Sequence, residues 1–162
     1  MSSVSESSSP ALNVTSDRIG AEVVFATDEW FACAKNLIKA EYPVFDPDAF
    51  CSQGKVMDGW ESRRKRTEGH DWCIIKLGYP AYCTAVEFDT RWFTGNFVPK
   101  CSVQAVALTD EQAAVFDSLP GRADGRLGTQ GTGMTREEVV QCQATIEGLG
   151  DWKELVAVTP MG

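Results

Sequence analysis

The chain has 162 residues, 43% of them hydrophobic and 23% charged, and a formal net charge of -8. That length fits one domain able to bury a core, and the acidic balance excludes a general nucleic-acid or membrane-surface binder, which needs a broad basic face. No apolar run approaches the roughly 18 residues of a membrane span, and the opening MSSVSESSSP lacks the basic and apolar regions of a signal peptide.

Residues 1–18 are Ser-rich with little apolar periodicity and read as a disordered tail, leaving 19–162 as the folded domain. AEVVFAT (21–27) predicts a strand. DEWFACAKNLIK (28–39) carries apolar residues at 30, 31, 33, 34, 37 and 38, a spacing that predicts a short helix. Pro43 and Pro47 break any regular element over 41–50. Three strands follow: WCIIKL (72–77), the alternating CTAVEFDT (83–90) and CSVQAVAL (101–108), with turns at 78–80 and at Gly95-Asn96. Thr109 with Gln112, and Thr135 with Glu138, have the spacing of capping boxes; they predict a short helix to Ser118 and a longer one to Glu147. The glycine-rich stretch 120–134 between them is a loop, and KELVAV (153–158) is a final strand. Short strands separated by turns suggest an all-β sandwich or barrel with helical decoration. The six cysteines show no CxxC spacing and read as free, buried thiols.

VVFATDEWFACAKNLIK, GKVMDGWESRRKRTEGHDWCIIKLG and DTRWFTGNF together resemble the allantoicase family. The resemblance implies hydrolysis of allantoate to ureidoglycolate and urea, in purine breakdown by way of allantoin, by a cytoplasmic enzyme. It also implies a galactose-binding-like jelly-roll β-sandwich with short helices in its connections, normally present as two copies in one chain. The expectation here is the first copy, with its C-terminal strands missing and its second jelly-roll copy absent; a homo-oligomer stays open. The alternatives are a non-catalytic galactose-binding-like module and an inactive single-copy remnant.

Allantoate carries a carboxylate and two ureido arms on one carbon. Splitting off urea needs a cation for the carboxylate, hydrogen bonds for the arms, an acid for the departing nitrogen and a base for water. Arg63, Arg64 and Arg66 are the candidate carboxylate binders, because a guanidinium offers two parallel hydrogen bonds where Lys offers a point charge. The bland reading is a solvated basic loop, with one arginine paired to Glu61 or Asp58. His70, the single histidine, is a candidate acid–base or a structural residue; its neighbour Asp71 either orients it or caps the following strand. Asp58 and Glu61 are candidate catalytic carboxylates, with Asp89 a further carboxylate in the matched stretches. Thr94 and Asn96 are candidate partners of the ureido arms, or simply turn residues. Trp60, Trp72, Trp92 and Phe93 read as packing groups. One His with dispersed carboxylates is poor metal-ligand spacing, so the expectation is no metal and no cofactor, although Asp58 with His70 is the pair a divalent ion would use.

Overall fold

The computed structural model describes residues 11–161. Its strands are β1 (Glu22–Ala26), β2 (Asp28–Glu29), β3 (Phe50–Cys51), β4 (Gly54–Lys55), β5 (Cys73–Lys76), β6 (Lys100–Ala105), β7 (Thr132–Gly133) and β8 (Lys153–Pro160). The α-helices are α1 (Asp110–Ala113) and α2 (Arg136–Glu147), and short 3-10 turns cover Asp17–Ile19, Ala34–Ile38 and Ala114–Ser118. Strands thus outnumber helices among the described residues, and they pair antiparallel two by two: β1 with β5, β2 with β7, β3 with β4, and β6 with β8.

The core is built around β1, which is buried on both faces after its first residue. Its pairing with β5 skips Val24, since Val23 faces Ile75 and Phe25 faces Ile74. Such an extra residue shifts the alternation of side chains. Val24 and Phe25 therefore both join Phe116, Leu119, Cys142 and Ile146, while Val23 and Ala26 join Ala34 and Ile38 on the other side. α2 and the Ala114–Ser118 turn close the first cluster. The Ala34–Ile38 turn closes the second.

Both capping boxes form. Thr109 accepts the Gln112 N–H (3.2 Å) and Thr135 accepts the Glu138 N–H (3.2 Å), with the Gln112 and Glu138 side chains reaching back to the caps. Arg126 braces α2 further, donating from both terminal nitrogens to the Glu138 carboxylate (2.6 and 3.2 Å). That guanidinium, with the Thr135 N–H, holds the Glu138 carboxyl below its usual range. Thr135→Ala is expected to lower stability by about 1 kcal/mol, the usual worth of an N-cap hydroxyl. A urea-denaturation midpoint equal to that of the unsubstituted protein would show that Arg126 alone holds the helix start.

Four expectations meet a different outcome, the first being the loop over 120–134, which near its end forms β7 against β2. Residues 28–39 do not form a helix: β2 comes first, Ala32 bridges to Glu61, and only Ala34–Ile38 turns, as a 3-10 segment. The cause is local competition for backbone donors. Glu29 takes the Ala34 N–H (2.7 Å) and the Glu61 carbonyl takes the Ala32 N–H (3.0 Å), bonds that displace the helical ones to Trp30 and Asp28. Residues 83–90 do not form a strand either. They have no cross-strand partner, and the side chains of Cys83 and Asp89 bond only to Ala85 and Arg91 nearby; alternation favours a strand but pairing makes one. All six cysteines are free, but only Cys33 and Cys142 are buried; Cys51, Cys73 and Cys101 are partly exposed, and Cys83 is exposed because it lies in that unpaired stretch.

Of the tail expected over 1–18, residues 1–10 lie outside the described residues. Ser16 is buried, and its hydroxyl accepts the Arg18 N–H (3.3 Å) at the head of the first 3-10 turn. No described helix is long and apolar enough to cross a membrane.

Candidate functional site

The basic run 63–66 leaves the fold at a fixed point. Glu61 bridges antiparallel to Ala32, donating its N–H to the Ala32 carbonyl (3.2 Å) and accepting the Ala32 N–H (3.0 Å). The next residues run alongside β2 without regular structure, and their charges alternate in destination. Arg63, itself exposed, pairs with β2: its backbone N–H donates to Asp28 Oδ1 (3.0 Å) and its Nε–H to Asp28 Oδ2 (2.7 Å). Its guanidinium also lies 4.8 Å from the centre of the Trp30 ring, a cation–π contact. Lys65, also exposed, is paired as well, donating to Asp71 Oδ1 (2.7 Å). Arg64 and Arg66 are exposed like their neighbours but have no ion-pair partner among the described residues. Pairing thus alternates along the run.

Arg63 is thus spent on the protein's own carboxylate. Its partner is Asp28, neither Glu61 nor Asp58. Asp58 is tied elsewhere, accepting from Lys39 Nζ (2.6 Å) and from the Val44 N–H (3.0 Å). Burial alone would push its carboxyl up, but the Lys39 and Val44 bonds outweigh that and hold it below the usual range. Glu61 differs. It is half-buried, its carboxylate has no hydrogen-bond or ion-pair partner among the described residues, and burial pushes its pKa up. That is the environment of a carboxyl able to keep a proton and give it away.

His70 is exposed at the far end of the segment. Asp71 does not orient it: Asp71 Oδ1 accepts from Thr27 Oγ1 (3.0 Å) as well as from Lys65, and Thr27 Oγ1 accepts the Trp72 N–H (3.1 Å). Thr94 and Asn96 lie exposed in a turn around Gly95, whose φ of +91° is left-handed. That loop reaches the DGW motif through Phe93: a Cβ on Gly59 would meet Phe93 Cε2 at 2.9 Å, so ring and glycine are in contact. Asp89 pairs with Arg91 (3.3 Å). Trp60 donates to the Asp28 carbonyl (2.7 Å), Trp72 stacks on Phe25 (4.6 Å), and Trp92 stacks on Phe45 (5.7 Å), all in packing roles.

A separate cleft of about 340 Å³ lies where β1, the Ala34–Ile38 turn and the glycine-rich loop meet, with Glu29, Lys35, Arg122 and Gly128 among its lining. None of the eight site residues named from the sequence lines it. No cluster of three or more His, Cys, Asp or Glu residues suited to a metal ion occurs among the described residues.

The sequence reading missed Asp28 and Glu29. Both are buried, and Glu29 satisfies its two oxygens with the Ala34 N–H and the Gly128 N–H (2.6 Å). The available signal was two adjacent acids directly after an apolar strand. Acids so placed must find donors or stay unfolded.

The sequence matches the family described as "Allantoicase repeat" over residues 12–162. It is 44% identical to an allantoicase of Dictyostelium discoideum over 111 residues, covering 68% of this chain and 29% of that protein. A probable allantoicase of Acinetobacter baylyi is 48% identical over 113 residues, covering 68% of this chain and 34% of that one. The crystal structure of the Saccharomyces cerevisiae allantoicase superposes with a TM-score of 0.56 at 26% identity, covering 93% of this chain and 36% of that chain. The chain spans about a third of the length of these relatives.

Proposed function

The chain belongs to the allantoicase repeat family, and from that premise we propose that it forms one repeat of an enzyme hydrolysing allantoate to ureidoglycolate and urea. The observation that carries the reading is the split among the four cations. Arg63 and Lys65 are each paired with a carboxylate of the protein itself, whereas Arg64 and Arg66 have no ion-pair partner among the described residues and stand three and five residues past an acid whose pKa burial has raised.

In the proposed reaction Arg64 and Arg66 bind the substrate carboxylate, Arg64 by two parallel charge-assisted hydrogen bonds. Thr94 and Asn96 hydrogen-bond the ureido arms. His70 takes a proton from water as its oxygen bonds to the central carbon. The C–N bond to one arm breaks, and protonated Glu61 donates to the departing nitrogen, so that urea leaves neutral. Asp58, already held by Lys39, braces the turn before the motif and takes no proton. These steps use side chains alone.

The antiparallel strand pairs are compatible with a galactose-binding-like jelly roll over 19–162, and the coverage of about a third of each relative with a second copy of the repeat in the whole protein. We place the enzyme in the cytoplasm.

The test is urea release by the whole protein from allantoate and from allantoin. Allantoate is expected to be turned over and allantoin not, because the ring form lacks the carboxylate. Binding of allantoate without urea release would make the domain a binding module instead. Arg64→Lys is expected to weaken allantoate binding by about 1.5–3 kcal/mol, the range for a hydrogen bond to a charged group. An unchanged KM would return Arg64 to the solvated surface.

A further inference from the structure

We propose that Asp28 is the positioning residue of the cationic segment: by seizing both the backbone and the side chain of Arg63, it decides that Arg64 and Arg66 face outward. The inference rests on the reading of those two arginines as the carboxylate binders.

An ordinary surface ion pair joins two side-chain tips and leaves the backbone free to turn. The Asp28 contacts do more. Oδ1 accepts the backbone N–H of Arg63 (3.0 Å) and of Trp30 (3.1 Å), and Oδ2 accepts the Arg63 Nε–H (2.7 Å). The Asp28 carbonyl accepts Trp60 Nε1–H (2.7 Å). Residue 63 is therefore held through both its main chain and its side chain, which limits the directions open to the residues directly after it. Asp28 itself is 6% exposed, so its charge sits where these donors are its only solvent. An amide in its place would offer one acceptor oxygen instead of two.

A second residue supports the same arrangement. Gly133 stands directly across from Asp28 in the β2–β7 pair. Its φ is not among the left-handed ones, so its backbone does not demand glycine. Space does: a Cβ there would collide with Arg63 Nη2 and lie 2.7 Å from Asp28 Oδ2. Gly133 leaves room for the guanidinium to lie flat on the strand pair. Arg126 Nη1 donates to the Gly133 carbonyl (3.2 Å) and to Glu138 (3.2 Å), tying that floor to α2.

The experiment uses Asp28→Asn and Gly133→Ala in the whole protein, with two readouts. One is limited trypsin cleavage, which needs a free Arg or Lys side chain. Arg63 depends on Asp28, whereas Lys65 depends on Asp71. Both variants are expected to raise cleavage after Arg63 relative to cleavage after Lys65 by about 10-fold, as a local opening. The other readout is kinetic: KM for allantoate is expected to rise about 10-fold, with kcat within about threefold. An equal rise at both cleavage sites reports general destabilisation and overturns the proposal, as does no rise. A selective rise with unchanged KM overturns the claim that Arg64 and Arg66 are presented this way. If Asp28→Asn fails to fold, Gly133→Ala decides, since it keeps every charge. If the unsubstituted protein releases no urea from allantoate, the proposed function falls, and the cleavage ratio still decides whether Asp28 holds the segment.

Discussion

Replacing Glu61 with Gln is expected to lower the turnover of allantoate about 100-fold or more, the usual contribution of a general acid, while KM changes little. The backbone of Glu61 is committed to the bridge with Ala32, so the substitution leaves the chain path intact and removes only the proton. Burial raises the Glu61 pKa, which sets the sign of the pH dependence. The protonated, donating form persists to higher pH than an exposed glutamate allows, and activity falls as pH rises through the raised pKa. The same shift makes the folded state bind protons more tightly than the unfolded chain. Its contribution to stability is full at low pH and is lost over that rise. Measuring kcat against pH for both proteins checks this. An alkaline limb that survives unchanged in Glu61→Gln would assign the acid to another group.

Phe25→Ala is expected to cost about 3–5 kcal/mol, the range for removing a buried aromatic side chain, out of a total of about 5–15 kcal/mol for a domain. Phe25 is 1% exposed and stacks on Trp72 at 4.6 Å. It sits at the shifted register of β1 beside Val24, with α2 packed over it. The cavity cannot be filled by sliding the strand, because a one-residue slip would turn Val23 and Ala26 out of the second cluster. Urea denaturation gives the value directly. A loss under about 1 kcal/mol would mean that β1 is not the centre of the core and that its neighbours collapse freely.

What could be read from the sequence follows the range of the interactions. The two capping boxes were legible because donor and acceptor lie three residues apart, and both form where the spacing put them. β1, β5, β6 and β8 were legible because an apolar run of strand length has few alternatives. The stretch 83–90 has the alternation without the partner, and no local pattern reveals a missing partner. The run 28–39 misled for a related reason: its apolar spacing is helical, but its first two carboxylates are claimed by donors as distant as Arg63 and Gly128. At the candidate site, the place and sign of the basic run were plain. Which of its cations remain available was not, because that depends on Asp28 and Asp71. The chemistry attributed to Arg63, a guanidinium meeting a carboxylate, does occur, with a carboxylate of the protein itself.

The alternation of residues 63 to 66 has a consequence for how this segment can vary. Substitutions on it act one at a time, but a change in length acts on all of it at once. One residue inserted between Glu61 and Arg63 would shift both paired cations off their anchors at Asp28 and Asp71. The segment should therefore tolerate substitution at its unpaired positions better than any change of length, because its two anchors lie at a fixed separation along it.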